Sequence, residues 1–116
     1  LCGPISGCGH AAYKCYVFVV GDEALRNDIM TAIRERDVPC FSGSCSEVYL
    51  EHAFENTNFR PAQRLPNAKR LGETALMFLC HPTLTRDEIK KTCGVIREVG
   101  KLFESRSNET AAGHLL

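Results

Sequence analysis

The apolar residues of this chain alternate between strand-like runs and helix-like stripes. At 13–20, "YKCYVFVV" is dense in aromatic and β-branched residues and stops at Gly21, which predicts a strand. Its near-continuous apolar end predicts a central position, buried on both faces. Asp22 then offers an N-cap for "EALRNDIMTAIRERD", where Leu25, Ile29, Ala32, Ile33 and Arg36 recur at helical spacing. "VPCFS" (38–42) reads as a second short strand, placed at an edge by Pro39. "EVYLEHAF" (47–54) reads as a short helix with Val48, Leu50 and Phe54 partly buried, and "ENTNFRPAQRLP" as an irregular connection.

Leu65 to Glu73 predict a further short helix, with Pro66 suited to its first turn. "ALMFLC" (75–80) is the third strand, stopped by His81-Pro82. Thr85 with Glu88 three residues on forms a capping box. It opens the helix "RDEIKKTCGVIREVGKLFES", whose inner stripe is expected at Ile89, Cys93, Ile96, Gly100 and Phe103. The element order predicts a small α+β domain: a mainly antiparallel, three-stranded sheet with helices packed on one face. So apolar a sheet should rest its other face on something. The boundaries expected are a lead-in loop at 1–12, the domain at 13–104 and a polar tail at 105–116.

Composition narrows the classes. At 116 residues the chain is one domain's worth, and 44% apolar with 24% charged residues is an ordinary globular balance. Fourteen basic residues match fourteen acidic ones, so no bulk field favours nucleic acid or an anionic membrane. No apolar run approaches the roughly 20 residues that span a bilayer. No secretory signal is legible, and a start at Leu1 suggests a processed chain or an excised domain. Seven cysteines is an odd count for a disulfide scaffold, and Cys15, Cys80 and Cys93 sit in apolar segments. That pattern points to reduced thiols and a cytoplasmic protein.

Candidate chemistry is sparse. Cys2, Cys8 and His10 give C-x5-C-x-H, and Cys40 with Cys45 gives C-x4-C; structural zinc sites need two closely spaced pairs, and only the second fits. Cys45 precedes the helix expected at 47, yet no resolving cysteine follows at redox spacing. Serines 42, 44 and 46 lie in no nucleophile elbow, and no phosphate loop is present. "SGSCS" reads better as a turn whose hydroxyls and amides bind a polar ligand or cap a helix. His10 and His81 flank strand ends, where a histidine either serves a site or is simply solvated. The residues alone thus describe a module without a self-sufficient catalytic set. Two other readings stay open, a non-catalytic interaction module and a small zinc or thiol-redox protein.

Three stretches together carry a resemblance: "HAAYKCYVFV", "VPCFSGSCSEVYLEHAF" and "RLPNAKRLGETALMFLCHPTLTRDEIKKT". From about His10 to Phe103 the chain resembles the C-terminal small domain of the DegT/DnrJ/EryC1/StrS family. These are fold type I nucleotide-sugar aminotransferases that use pyridoxal phosphate. The resemblance implies a longer parent enzyme that moves an amino group, with glutamate as donor, to a nucleotide-linked keto sugar for surface polysaccharide. It implies a large domain carrying the cofactor lysine, a homodimer partner, and no cofactor held by this segment alone. No His-Pro-x-Lys segment is present, because Thr83 and Leu84 follow His81-Pro82. By position, Ser42, Ser44, Ser46 and Tyr49 would face the sugar substrate, with His10 and Tyr13 near the domain junction. The segment alone would have no catalytic residue and no activity.

Overall fold

The computed structural model describes residues 14–43 and 45–113, with side chains to Glu104. The lead-in expected at 1–12, with His10, Tyr13, Ser44, Cys2 and Cys8, lies outside the described residues. Strand β1 (Lys14–Phe18) is followed by helix α1 (Glu23–Arg34), helix α2 (Pro66–Thr74), strand β2 (Ala75–Leu79) and helix α3 (Arg86–Gly113). β1 and β2 pair antiparallel, with Tyr16 opposite Met77.

Among the described residues the sheet has two strands, not the three expected. Segment 38–42 contributes one bridge only, Phe41 to Met77, closed by Phe41 N–H to Met77 O at 3.0 Å and Met77 N–H to Phe41 O at 2.7 Å. The next pairings outward in that register would be residue 39 with 79 and residue 43 with 75. Pro39 has no N–H to give, and Gly43 turns away at φ +93°, a conformation that favours glycine. The carbonyl of Cys40 is taken by Arg34 Nε at 2.7 Å. The ladder therefore stops after one rung on either side. Among the described residues β2 is the central element, with β1, expected there, paired on one side only.

One face of the sheet is packed. Val17, Leu76 and Phe78 meet Leu25, Ile29 and Ile33 of α1, Val95, Ile96 and Val99 of α3, and Val38 with Cys40. Asp22 caps α1 as expected, its carboxylate accepting the Leu25 N–H at 2.8 Å. Thr85 and Glu88 close their capping box, with Thr85 N–H to Glu88 Oε2 at 2.7 Å and Glu88 N–H to Thr85 Oγ1 at 3.3 Å. These bonds hold the Glu88 carboxyl below its ordinary pKa. The α3 stripe is displaced from the one expected: Val99 is fully buried, whereas Ile89, Cys93 and Gly100 face out. α3 also runs on to Gly113, past the tail boundary set at 105.

The opposite face is covered only in part. Ala75 and Met77 of β2 are buried on it, while Tyr16 and Phe18 beside them on β1, and Phe41 beyond Met77, are 36%, 50% and 41% exposed. No helix among the described residues is long and apolar enough to cross a membrane.

Candidate functional site

The segment after Phe41 leaves the sheet edge at Gly43 and runs through Cys45 and Ser46 into two single turns of 3-10 helix, Val48–Leu50 and His52–Phe54. Glu51 between them is extended at ψ 150°, so the continuous short helix expected over 47–54 does not form. Burial differs too: Phe54 is partly buried as expected, but Tyr49 is buried while Val48 and Leu50 are exposed. A 3-10 turn has three residues per turn, so it directs its middle residue inward where an α-helical stripe would not.

Tyr49 is the post of this loop. Its hydroxyl donates to Glu47 Oε1 at 2.7 Å and accepts the Leu65 N–H at 2.9 Å. Leu65 is the residue before α2, so the bond ties the loop to the start of that helix. Burial, then the bond to Glu47, raises the Tyr49 pKa above its ordinary value. Arg64 grips Glu47 with two parallel bonds of 2.6 Å, a bidentate geometry. That grip, chiefly, lowers the Glu47 pKa to about 2 and raises that of Arg64. Arg60 completes the frame, donating to the carbonyls of Tyr49 and Leu50 at 3.1 and 2.9 Å.

α1 and α2 meet this loop through Arg26. Its side chain is buried on α1, and Nη1 donates to Gly72 O and Ala75 O, both at 3.1 Å. A cation there suits the carbonyl end of α2. Nε reaches Asn27 Oδ1 at 2.9 Å, and Glu23 is its exposed counter-ion at 3.4 Å.

Between the loop, α1 and α2 lies an open polar cavity of about 670 Å³. Ser42, Gly43, Cys45, Ser46 and Glu47 line one wall; Glu23 and Arg26 line another; Lys69, Gly72 and Glu73 line the third. Of the expected substrate-facing residues, Ser42 and Ser46 are in the wall, and Tyr49 lies outside the lining, holding the loop that carries them. Arg26, Glu47, Arg64, Lys69 and Gly72 escaped the sequence reading. One of them had a signal: Arg26 stands at i−3 and i−7 from Ile29 and Ile33, a charge on the buried stripe. Glu47 and Arg64 are 17 residues apart in irregular chain, where no periodicity marks a pair.

The cysteines read differently in place. Among the described residues Cys40 is the buried cysteine, its thiol pKa raised chiefly by desolvation, while Cys15 and Cys93 are exposed. Cys45 donates from Sγ to Glu51 Oε1 at 3.3 Å, which raises its pKa, the opposite of an activated thiolate. Among the described residues no cluster of three metal-ligating side chains occurs. His81 is half-buried, its Nδ1 2.7 Å from Thr83 Oγ1.

The chain is similar to a solved structure, described as the X-ray structure of the aminotransferase from Psychrobacter cryohalolentis. The two share 54% identity with a TM-score of 0.67, over 79% of this chain and 24% of that one. No family model matches the chain, and no curated protein matches it. The chain is therefore homologous to part of an aminotransferase and spans about a quarter of that relative's length.

Proposed function

We propose that this chain is the C-terminal small domain of a cytoplasmic, pyridoxal-phosphate-dependent aminotransferase of the DegT/DnrJ/EryC1/StrS type. The reaction is transfer of an amino group from glutamate to a nucleotide-linked keto sugar destined for surface polysaccharide. The observation that carries the reading is 54% identity to an aminotransferase of which the chain spans only about a quarter. The exposed aromatic residues of the second sheet face support it, since Tyr16, Phe18 and Phe41 form a surface suited to a larger domain of the same enzyme. A homodimer partner belongs to the same proposal.

In this reading Ser42, Ser44 and Ser46 face the sugar substrate and Tyr49 braces them. His10 and Tyr13 stand at the domain junction. The described residues do not fit pyridoxal phosphate. Lys69, the lysine in the cavity lining, is ion-paired with Glu73, Arg64 is paired with Glu47, and Arg26 donates to the carbonyls of Gly72 and Ala75. A dianionic phosphate would have to displace a partner from each of these cations. No step through the cofactor is assigned to this chain; its contribution is to bind and orient the sugar.

The test is amination by the native protein that carries this chain, with glutamate as donor and nucleotide-linked keto hexoses as acceptors. Formation of 2-oxoglutarate that depends on the keto sugar is the expected result. Equal turnover with simple 2-oxo acids and none with any keto sugar would overturn the substrate class.

A further inference from the structure

Gly72 sits in the last turns of α2, facing the loop across the cavity. A Cβ built on it would lie 2.4 Å from Ser46 Oγ but 3.7 Å from Ser46 Cβ. The first distance is closer than real Cβ atoms come, below 3.0 Å, and the second is ordinary contact. A methyl group at 72 therefore fits against all of Ser46 except its hydroxyl.

The backbone of α2 is tied down, and the loop is tied through the side chain of the residue after Ser46. The Gly72 carbonyl is held by buried Arg26 at 3.1 Å, and Thr74 O accepts the Val19 N–H at 2.9 Å, fixing the end of α2 to α1 and the β1 side. On the loop side, Glu47 follows Ser46 directly and is clamped by Arg64 and Tyr49. The one soft coordinate is the Ser46 side-chain torsion, which has three staggered wells. Glycine is also a poor choice for a helix interior on propensity alone, so α2 carries it at a cost in its own stability.

We infer that Gly72 is a positioning residue for the sugar site: its missing side chain leaves the room that Ser46 Oγ needs for the rotamer that serves the cavity. The inference rests on the reading of Ser46 as a substrate contact. Gly72 touches no reacting atom and acts through Ser46 alone.

The experiment uses the native protein carrying this chain, as wild type, Ser46→Ala, Gly72→Ala and the double variant. Steady-state kinetics vary glutamate and, separately, uridine or thymidine diphosphate keto hexose. Gly72→Ala is expected to raise KM for the sugar about fivefold, the weight of one hydrogen bond, matching Ser46→Ala. KM for glutamate stays unchanged. In the Ser46→Ala background the Gly72 substitution adds nothing to the sugar KM and raises the melting temperature, which also reports folding. A crystal structure of the Gly72→Ala protein should show Ser46 Oγ rotated with its Cα in place.

The outcomes separate. If Ser46→Ala leaves the sugar KM unchanged, the substrate role of Ser46 fails, and the positioning role with it. If Ser46→Ala raises KM but Gly72→Ala does not, or the two losses multiply, or Ser46 Oγ keeps its place, then the positioning role alone is overturned.

Discussion

Glu47 and Tyr49 show how much of the loop depends on two side chains. Tyr49 hydroxyl bridges Glu47 and the Leu65 N–H, so Tyr49→Phe should lower stability by about 1–2 kcal/mol in urea unfolding, since it leaves a half-buried donor unpaired. A loss below the error of the measurement would mean the bridge is replaced by water. Glu47 makes a pH prediction of definite sign. Its folded pKa of about 2 is below the ordinary 4.5, so its contribution is complete above the ordinary value and disappears as the proton is taken up on acidification towards 2. The stability gap between wild type and Glu47→Gln should be widest from about pH 5 upward and close towards pH 2, followed by denaturant melts across that range. A gap that persists at the acid end would show that the ion pair with Arg64 is not its source. Neither residue drew notice in the sequence for this role. Tyr49 was singled out as a substrate contact, because an isolated tyrosine in a polar loop carries no mark of the partners that engage it.

At the scale of elements, the helix ends were legible and the helix faces were less so. Asp22, Pro66 and the Thr85–Glu88 box mark their helix starts because capping is local chemistry, closed within four residues. The inner face of α3 is not local: apolar residues occupy two overlapping stripes, and packing on α1 selects the one through Val95 and Val99. Val99→Ala should therefore cost about 2 kcal/mol, while Ile89→Ala should cost less than about 0.5 kcal/mol. Reversed magnitudes in thermal or urea unfolding would restore the stripe through Ile89 and Cys93. The missing third strand has the same lesson. "VPCFS" has strand composition, yet composition does not count ladder bonds, and Pro39 and Gly43 cut them on both sides of Phe41. Pro39→Val supplies a donor opposite Leu79, and its new amide should exchange slowly with solvent. Rapid exchange there would show that something other than the proline ends the pairing.

For the whole molecule, the decisive asymmetry is between a packed sheet face and one that leaves Tyr16, Phe18 and Phe41 exposed. The helices expected on one face are there, but on a sheet of two strands among the described residues rather than the three expected. The sequence carried the aminotransferase resemblance, and 54% identity to an aminotransferase supports that relationship at the level of the enzyme class. The cavity was only half legible. Its serines, Ser42 and Ser46, lie within five residues of sequence, whereas its other walls come from α1 and α2 and are brought together by Arg26 across 46 residues or more. Central to the account is that this chain shapes the pocket and leaves the cofactor lysine to another part of the enzyme. Borohydride reduction of the native protein with pyridoxal phosphate, followed by peptide mass mapping, tests this most directly. A stoichiometric pyridoxyl-lysine is expected in a peptide outside these 116 residues. A stoichiometric label on Lys14, Lys69, Lys90, Lys91 or Lys101 would contradict it.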